Sequence, residues 1–153
     1  MAKAAATKPA KASTAKREPE VRVTKGELIA TRELLDSVMT LASHGILFRV
    51  GQILSESIVG EARAQGGPIA EAAGRVLVGR HFAEAVRFFP HKIQVTGSIE
   101  VKAGEGPTCH VLRGILQKVL AADGGAFMVR EESCASLGGA ECVFAVERGG
   151  RTP

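Results

Sequence analysis

The stretch CHVLRGILQKVLAADGGAFMVREESCASLGGAECVFAV, residues 109–146, decides the fold, because a helical period gives way in it to two strand-like segments. Its first part predicts a helix over residues 108–122 that ends at Asp123. This helix is marked by apolar residues three and four positions apart, which form a double stripe: Val111, Leu112, Ile115, Leu116, Val119 and Leu120. Residues 126–132 and 141–147 are predicted to be the two strands of a hairpin, with a glycine-containing turn between them.

Three further helices are predicted upstream of this stretch. Thr24 and Glu27 have the spacing of a capping box, so the first helix begins after Thr24, and it is expected to end near residues 43–45. A second helix over residues 46–64 and a third over residues 69–79 follow. The residues expected to face the core are Leu28, Leu35, Val38, Met39 and Ala42 in the first helix, and Ile46, Leu47, Val50, Ile53, Leu54 and Ile58 in the second.

The middle of the chain changes from helical to strand-like patterning. Residues 82–89 are compatible with either a helix or a strand, whereas residues 92–101 alternate like a half-buried strand with a slip near Gly97. Helices therefore come first, and strands with one helix among them follow. This order predicts an α+β domain over residues 23–148, with N-terminal helices packed on a small antiparallel sheet and one long helix before the C-terminal hairpin.

Basic residues are concentrated at the N-terminus of the 153-residue chain. The chain has 20 Lys and Arg against 16 Asp and Glu, but residues 1–17 hold five basic residues and no acid, which leaves 15 basic and 16 acidic residues elsewhere. The five are Lys3, Lys8, Lys11, Lys16 and Arg17. Because residues 1–17 have no Leu, Ile, Val or Phe to bury, we predict disorder over residues 1–22, and likewise over residues 149–153. The tail is either an arm that binds DNA or another anionic partner, or a solubilising spacer.

Composition and motifs disfavour several classes of protein. No apolar run reaches the roughly 18–20 residues that span a bilayer. Three cysteines, an odd number, disfavour a self-contained disulfide framework, and we expect a cytoplasmic protein. The sequence contains no GxGxxG, Walker A, HExxH or GxSxG motif, so the balance favours a protein that is not an enzyme.

The three cysteines are the residues most suited to specific chemistry. Cys109 stands at the start of the predicted helix, and Cys134 and Cys142 flank the turn of the predicted hairpin. If the helix start abuts the hairpin, three sulfurs converge and one further donor would complete a four-coordinate zinc site. The candidates for that donor are Glu131, Glu132 and His110. The alternative is that the three cysteines are buried as small apolar residues.

The same stretch resembles the C-terminal signature of the 4-vinyl reductase domain. That signature is a cysteine that opens a glycine-containing helix, a strand that ends in E-x-x-C, a glycine-bearing turn and C-x-F. The matching residues are Cys109, Gly114, Glu131, Cys134, Gly138 or Gly139, Cys142 and Phe144. Residues 46–67 are similar to the opening helix of the domain, and the resemblance covers roughly residues 25–148.

The resemblance implies a fold shared with heme-nitric-oxide sensor domains and Golgi-transport tethering subunits. In phenol-responsive relatives a zinc ion is held by three cysteines and the glutamate of E-x-x-C. Matched by position, the implied zinc ligands are Cys109, Glu131, Cys134 and Cys142, with His110 as a possible supporting neighbour. The phenol sensors hold the phenol hydroxyl with a His and a Trp; this sequence has no Trp, so the ligand stays open.

The sequence therefore favours a stand-alone, non-enzymatic domain that binds a small hydrophobic ligand or acts as a sensor. The implied structural zinc would tie the last helix to the hairpin, and relatives with this fold often form homodimers. One alternative is an interaction or scaffold protein that works through self-association and the basic tail. A weaker alternative is an accessory protein of bacteriochlorophyll or other tetrapyrrole metabolism.

Overall fold

The structure is a computed structural model that describes residues 21–149. Three helices come first, and a four-stranded sheet with one inserted helix follows. The elements are α1 (Lys25–Met39), α2 (Ala42–Gln65), α3 (Ile69–Gly79), β1 (Ala85–Phe88), β2 (Lys92–Thr96), α4 (His110–Ala122), β3 (Phe127–Ser133) and β4 (Cys142–Arg148). The strand order is β1-β2-β4-β3, and each neighbouring pair is antiparallel. The predicted α+β fold is confirmed.

Helices α2 and α4 cross at the centre of the core in direct backbone contact. A Cβ atom at Gly51 would overlap the carbonyl oxygen of Val111, and one at Gly114 would overlap the carbonyl oxygen of Phe48. Only glycine allows two helices to approach this closely, because any side chain would push the backbones apart. The surrounding core consists of fully buried apolar side chains from the helices and the sheet: Ile58, Leu77, Ile93, Val95, Leu112, Ile115, Leu116 and Phe144.

The observed element boundaries depart most from the predicted ones at the end of α1 with the start of α2, and at the end of β2. Helix α1 ends at Met39 rather than near residues 43–45, because Thr40 takes up a positive φ of 50° and the chain enters α2 at Ala42. Strand β2 ends at Thr96, whereas the prediction continued to residue 101. Gly97, with φ of 63°, turns the chain away from the sheet at that point.

The segment that fitted either a helix or a strand contains a strand, and helices α3 and α4 lie close to their predicted positions. Residues 82–89 contain the short strand β1, and the third helix has the predicted bounds. The long helix begins at His110, with Cys109 as its N-cap residue. The five basic residues Lys3, Lys8, Lys11, Lys16 and Arg17 lie outside the described residues, as do residues 150–153.

The predicted apolar face of α1 is confirmed only in part, because Leu28 and Leu35 are half-buried while its C-terminal residues are exposed. Val38 is 73% exposed, Met39 is also exposed, and the one buried residue of α1 is Arg32. In α2, Leu47 and Ile58 are buried as predicted, but Ile53 is 68% exposed. We call the exposed large apolar residues of this region the outer stripes; they are Leu34, Val38 and Met39 of α1, Leu41 of the connection, and Ile46, Val50, Ile53 and Leu54 of α2.

None of the helices in residues 21–149 has both the length and the apolar character needed to cross a membrane.

Candidate metal centre

Four side chains from three elements converge where the start of α4 meets the β3–β4 hairpin. Cys109 is the N-cap residue of α4, Glu131 lies on β3, Cys134 follows β3, and Cys142 begins β4. Their donor atoms all lie within 4.8 Å of one another. Each cysteine is at most 2% exposed. The convergence that the sequence predicted if the helix start abutted the hairpin is thus present.

The sulfur atoms have the spacing that a single metal ion requires. The Sγ atoms of Cys109 and Cys142 are 3.5 Å apart, and those of Cys134 and Cys142 are 3.7 Å apart. Two thiolates bound at about 2.3 Å to a tetrahedral zinc would lie about 3.8 Å from each other. The four residues therefore fit one small tetrahedral cation without a large rearrangement.

Glu131 is the candidate fourth donor that the structure brings to the sulfurs. Its Oε1 atom is buried and has no hydrogen-bond partner among the described residues. Burial, followed by interaction with Cys134, raises the pKa of this carboxyl to about 9. A buried carboxyl oxygen without a partner is costly, and a bound cation would satisfy it. Glu132, the alternative, is exposed and lies beside Arg130.

Hydrogen bonds within the cluster shift the pKa of Cys109 in one direction and the pKa values of Cys134 and Cys142 in the other. Interaction with Cys109 lowers the pKa of Cys134 and of Cys142, whereas interaction with those two cysteines and burial raise the pKa of Cys109. The backbone N–H of Ala135 also donates to Cys142 Sγ at 3.4 Å. Backbone donors and neighbouring thiols favour thiolate at the hairpin, and thiolate is the form that binds a metal.

The neighbouring acid Glu100 replaces the missing side-chain cap of α4. Its carboxylate accepts the backbone N–H groups of Val111 at 2.9 Å and Leu112 at 2.7 Å. An N-cap residue normally supplies this oxygen itself, but Cys109 makes no such side-chain bond. Because Glu100 accepts these two N–H groups, the sulfur of Cys109 remains free to bind a metal ion. Burial raises the pKa of Glu100 to about 7.

Arg32 links α1 to this region through contacts with Glu100 and Glu105. Its Nη1 atom donates to the carbonyl oxygen of Glu100 at 3.2 Å, and its Nη2 atom pairs with Glu105. The Nε atom is buried without a hydrogen-bond partner among residues 21–149. The sequence analysis missed both Arg32 and Glu100. A signal for Arg32 existed, because helical spacing places it on the same face as Leu28 and Leu35.

His110 is buried and does not join the four-donor group. Its ring stacks on that of His44, with centroids 4.0 Å apart. Burial, with the nearby His44 second, lowers the pKa of His110 to about 4. His44 Nε2 lies 3.7 Å from Asp36 Oδ1, so a short chain of polar groups connects the end of α1 to the start of α4.

Comparisons with known proteins identify the fold. No protein-family model and no curated protein matches the sequence. Among solved structures, the phenol-responsive sensory domain of the transcription activator PoxR, determined with phenol, is similar with a TM-score of 0.67 and 17% identity, covering 84% of this chain and 76% of that chain. A vinyl-4-reductase family protein from Methanocaldococcus jannaschii is similar with a TM-score of 0.55 and 21% identity, covering 88% of this chain and 86% of that chain.

The fold is therefore that of a 4-vinyl reductase-like α+β domain. The resemblance that the sequence suggested is confirmed at this level. Both solved structures match most of residues 21–149, and the four candidate metal ligands lie in this part of the chain.

Proposed function

We propose that this chain is a non-enzymatic small-ligand-binding or sensory domain held together by one structural zinc ion. The observation that carries the proposal is the group Cys109, Glu131, Cys134 and Cys142, whose donors lie within 4.8 Å of one another in a chain that has a sensory-domain fold. Four protein ligands fill a tetrahedral zinc and leave no position for a reactive water. The bound metal would supply folding free energy, because the ligand set is assembled only in the folded chain.

The small ligand would enter beneath α1. A cavity there is lined by the apolar side chains Leu28, Ile29, Leu47 and Val111, together with Arg32 and Glu100. Apolar walls with a few convergent polar groups are typical of a small-ligand site. The cavity is only about 10 Å³ as it stands, which is the room of about one water. A larger ligand would therefore require α1 to move outward, and it would gain the unpartnered Nε of Arg32 as a hydrogen-bond donor.

We infer that the outer stripes pair with a second copy of the chain. Eight large apolar residues on α1, α2 and their connection are exposed. Contiguous apolar surface of this kind typically marks an interface, and a two-fold axis lets one patch cover itself. We also propose a cytoplasmic location, because cysteines that serve as metal ligands must stay reduced.

A second candidate function is an interaction or scaffold protein. The outer stripes favour it, because self-association alone could serve this role. In this second function the basic tail would bind DNA or another anionic partner. We then expect binding that weakens with salt and is lost when residues 1–20 are removed. Equal binding with and without those residues would exclude this role for the tail. An accessory role in tetrapyrrole metabolism stays a prediction.

Native mass spectrometry of the purified full chain tests the main proposal. We expect one zinc ion per chain, a dimer mass and, where a ligand is retained, an added small mass. The variant Cys134→Ser should lose the metal, while Ser133→Ala, an exposed neighbour, should keep it. A wild-type chain that folds fully without metal would contradict the zinc assignment.

A further inference from the structure

A groove of about 700 Å³ lies between α3 and the outer strand β1, apart from the metal ligands and from the cavity beneath α1. Its apolar lining comes from small and medium side chains of both elements: Ala70, Gly74, Val78, Val86 and Phe88. The volume lies within the range of about 300–1,000 Å³ that is usual for binding sites. The groove is an open channel, which suits an extended chain better than a compact ligand.

The backbone of β1 faces this groove with groups that β2 does not use. The N–H of Phe89 donates to the carbonyl of Lys92 at 2.8 Å, which fixes the alternation of the antiparallel pair. By that alternation, the backbone groups of Val86 and Phe88 point away from β2. β1 is an outer strand of the described sheet, so these groups have no strand partner there. An extended segment could hydrogen-bond to them.

The charges around the groove are mostly negative. Its lining contains Glu71, Glu84 and Asp123 against a single cation, Arg75. Asp123 already accepts the backbone N–H of Ile69 at 3.2 Å, and Arg75 donates to a glutamine at 3.3 Å. Glu71 and Glu84 are exposed and make no hydrogen bond or ion pair with residues 21–149. Two carboxylates on either side of an apolar channel favour a basic occupant.

The chain itself contains a segment with the complementary properties. Residues 1–17 hold five basic residues and no acid, and most of their other side chains are small, mainly alanine and threonine. Twenty residues precede the described part and could extend by up to about 66–72 Å. A domain of about 130 residues has a radius of gyration of about 14 Å, so the first few residues of this segment can reach any point of its surface. Covalent attachment also gives the segment an effective concentration of roughly millimolar.

We propose that the groove between α3 and β1 binds the basic N-terminal segment of the same chain, residues 1–17. The lysines pair with Glu71 and Glu84, and the small side chains lie beside the half-buried side chains of Val86 and Phe88. A segment bound in this way is withheld from other anionic partners, so DNA and the groove compete for the same lysines. The assignment is independent of zinc and of any small ligand.

Zero-length carbodiimide cross-linking of the full chain, read by peptide mass spectrometry, tests the proposal. We expect cross-links from the N-terminal lysines to Glu71 and Glu84 that exceed those to Glu56, an equally exposed and unpaired carboxylate of α2, by about fivefold, as expected for an exposed ion pair worth about 1 kcal/mol. The excess should disappear at about 1 M salt, where charges are screened within about 3 Å.

Two controls make the result decisive. The combined variant Glu71→Gln and Glu84→Gln should speed hydrogen exchange at the amides of Val86 and Phe88, whereas Glu56→Gln should leave it unchanged. A mixture of ¹⁴N- and ¹⁵N-labelled chains separates cross-links within one chain from those between two chains. Cross-links spread evenly over exposed carboxylates, or formed only between chains, would overturn the proposal.

Discussion

The candidate metal centre and helix α1 are fixed to the domain in opposite ways. The centre is built from largely buried side chains, and the backbone N–H groups beside it donate to Glu100 and Cys142. Helix α1 instead is held by polar contacts through Arg32 and Lys102, while large apolar residues such as Val38 face outward. The difference indicates that one region supplies stability, whereas the other is available for binding, displacement or self-association.

Removal of a metal ligand should produce the largest effect. The variant Cys142→Ser deletes the sulfur that lies within 3.7 Å of both other sulfurs and leaves the remaining donors buried without a cation. Structural zinc is worth roughly 10–16 kcal/mol in small zinc-binding peptides, more than the whole stability of an average domain. We expect loss of zinc and of cooperative unfolding, measured by metal analysis and circular dichroism. If the variant keeps zinc and still unfolds cooperatively, the stability of this region comes from packing alone.

The contact between α2 and α4 should be the next most sensitive. Gly114→Ala would force a methyl group into the carbonyl oxygen of Phe48, and we expect a loss of about 3 kcal/mol or more in the free energy of unfolding. Gly60 is the matched control, because a Cβ there meets nothing within 4 Å. Gly60→Ala should stabilise helix α2 by about 0.5–1 kcal/mol. Urea unfolding of both variants measures the contrast, and equal effects would refute the close helix crossing.

Glu100 makes the free energy of unfolding depend on pH, whereas a glutamine at this position would not. Its pKa is raised from 4.5 to about 7 in the folded chain, so the folded state binds the proton more tightly than the unfolded state does. Stability from this group is therefore present below pH 4.5 and is lost as the pH rises to about 7, by about 3 kcal/mol in all. We expect the free energy of wild type relative to Glu100→Gln to fall over this range. A constant difference from pH 4.5 to 7 would contradict the assignment.

The sequence predicted the buried elements better than the polar connections between them. The double stripe of α4 and the four side chains that converge at its start were recognisable, because their patterns are local or match a known signature. The roles of Arg32 and Glu100 were not, since Glu100 caps a helix that begins ten residues later in the chain. Such contacts depend on tertiary packing, which local periodicity does not encode.

The same limit explains the error in α1. Its apolar spacing predicted a face toward the core, yet Val38 and Met39 are exposed in the single chain. Hydrophobic periodicity shows that a helix has a face to bury, but it does not distinguish a core from an interface between two chains. The outer stripes are thus where the sequence prediction and the structure can be reconciled by a dimer.

Substitution in the outer stripes should change association and leave the fold nearly unaffected. Ile53→Lys places a charge at a 68% exposed position, so we expect a change in folding stability within about 0.5 kcal/mol. At the interface of a dimer the same charge would be buried twice, and the dimer dissociation constant should rise by at least about a hundredfold. Met128→Lys is the control, because Met128 is 59% exposed on β3 and far from the stripes in sequence. Sedimentation velocity of both variants measures the difference in association. If Met128→Lys dissociates the dimer and Ile53→Lys does not, the interface lies at the outer edge of the sheet. The exposed apolar residues of α1 would then need another explanation.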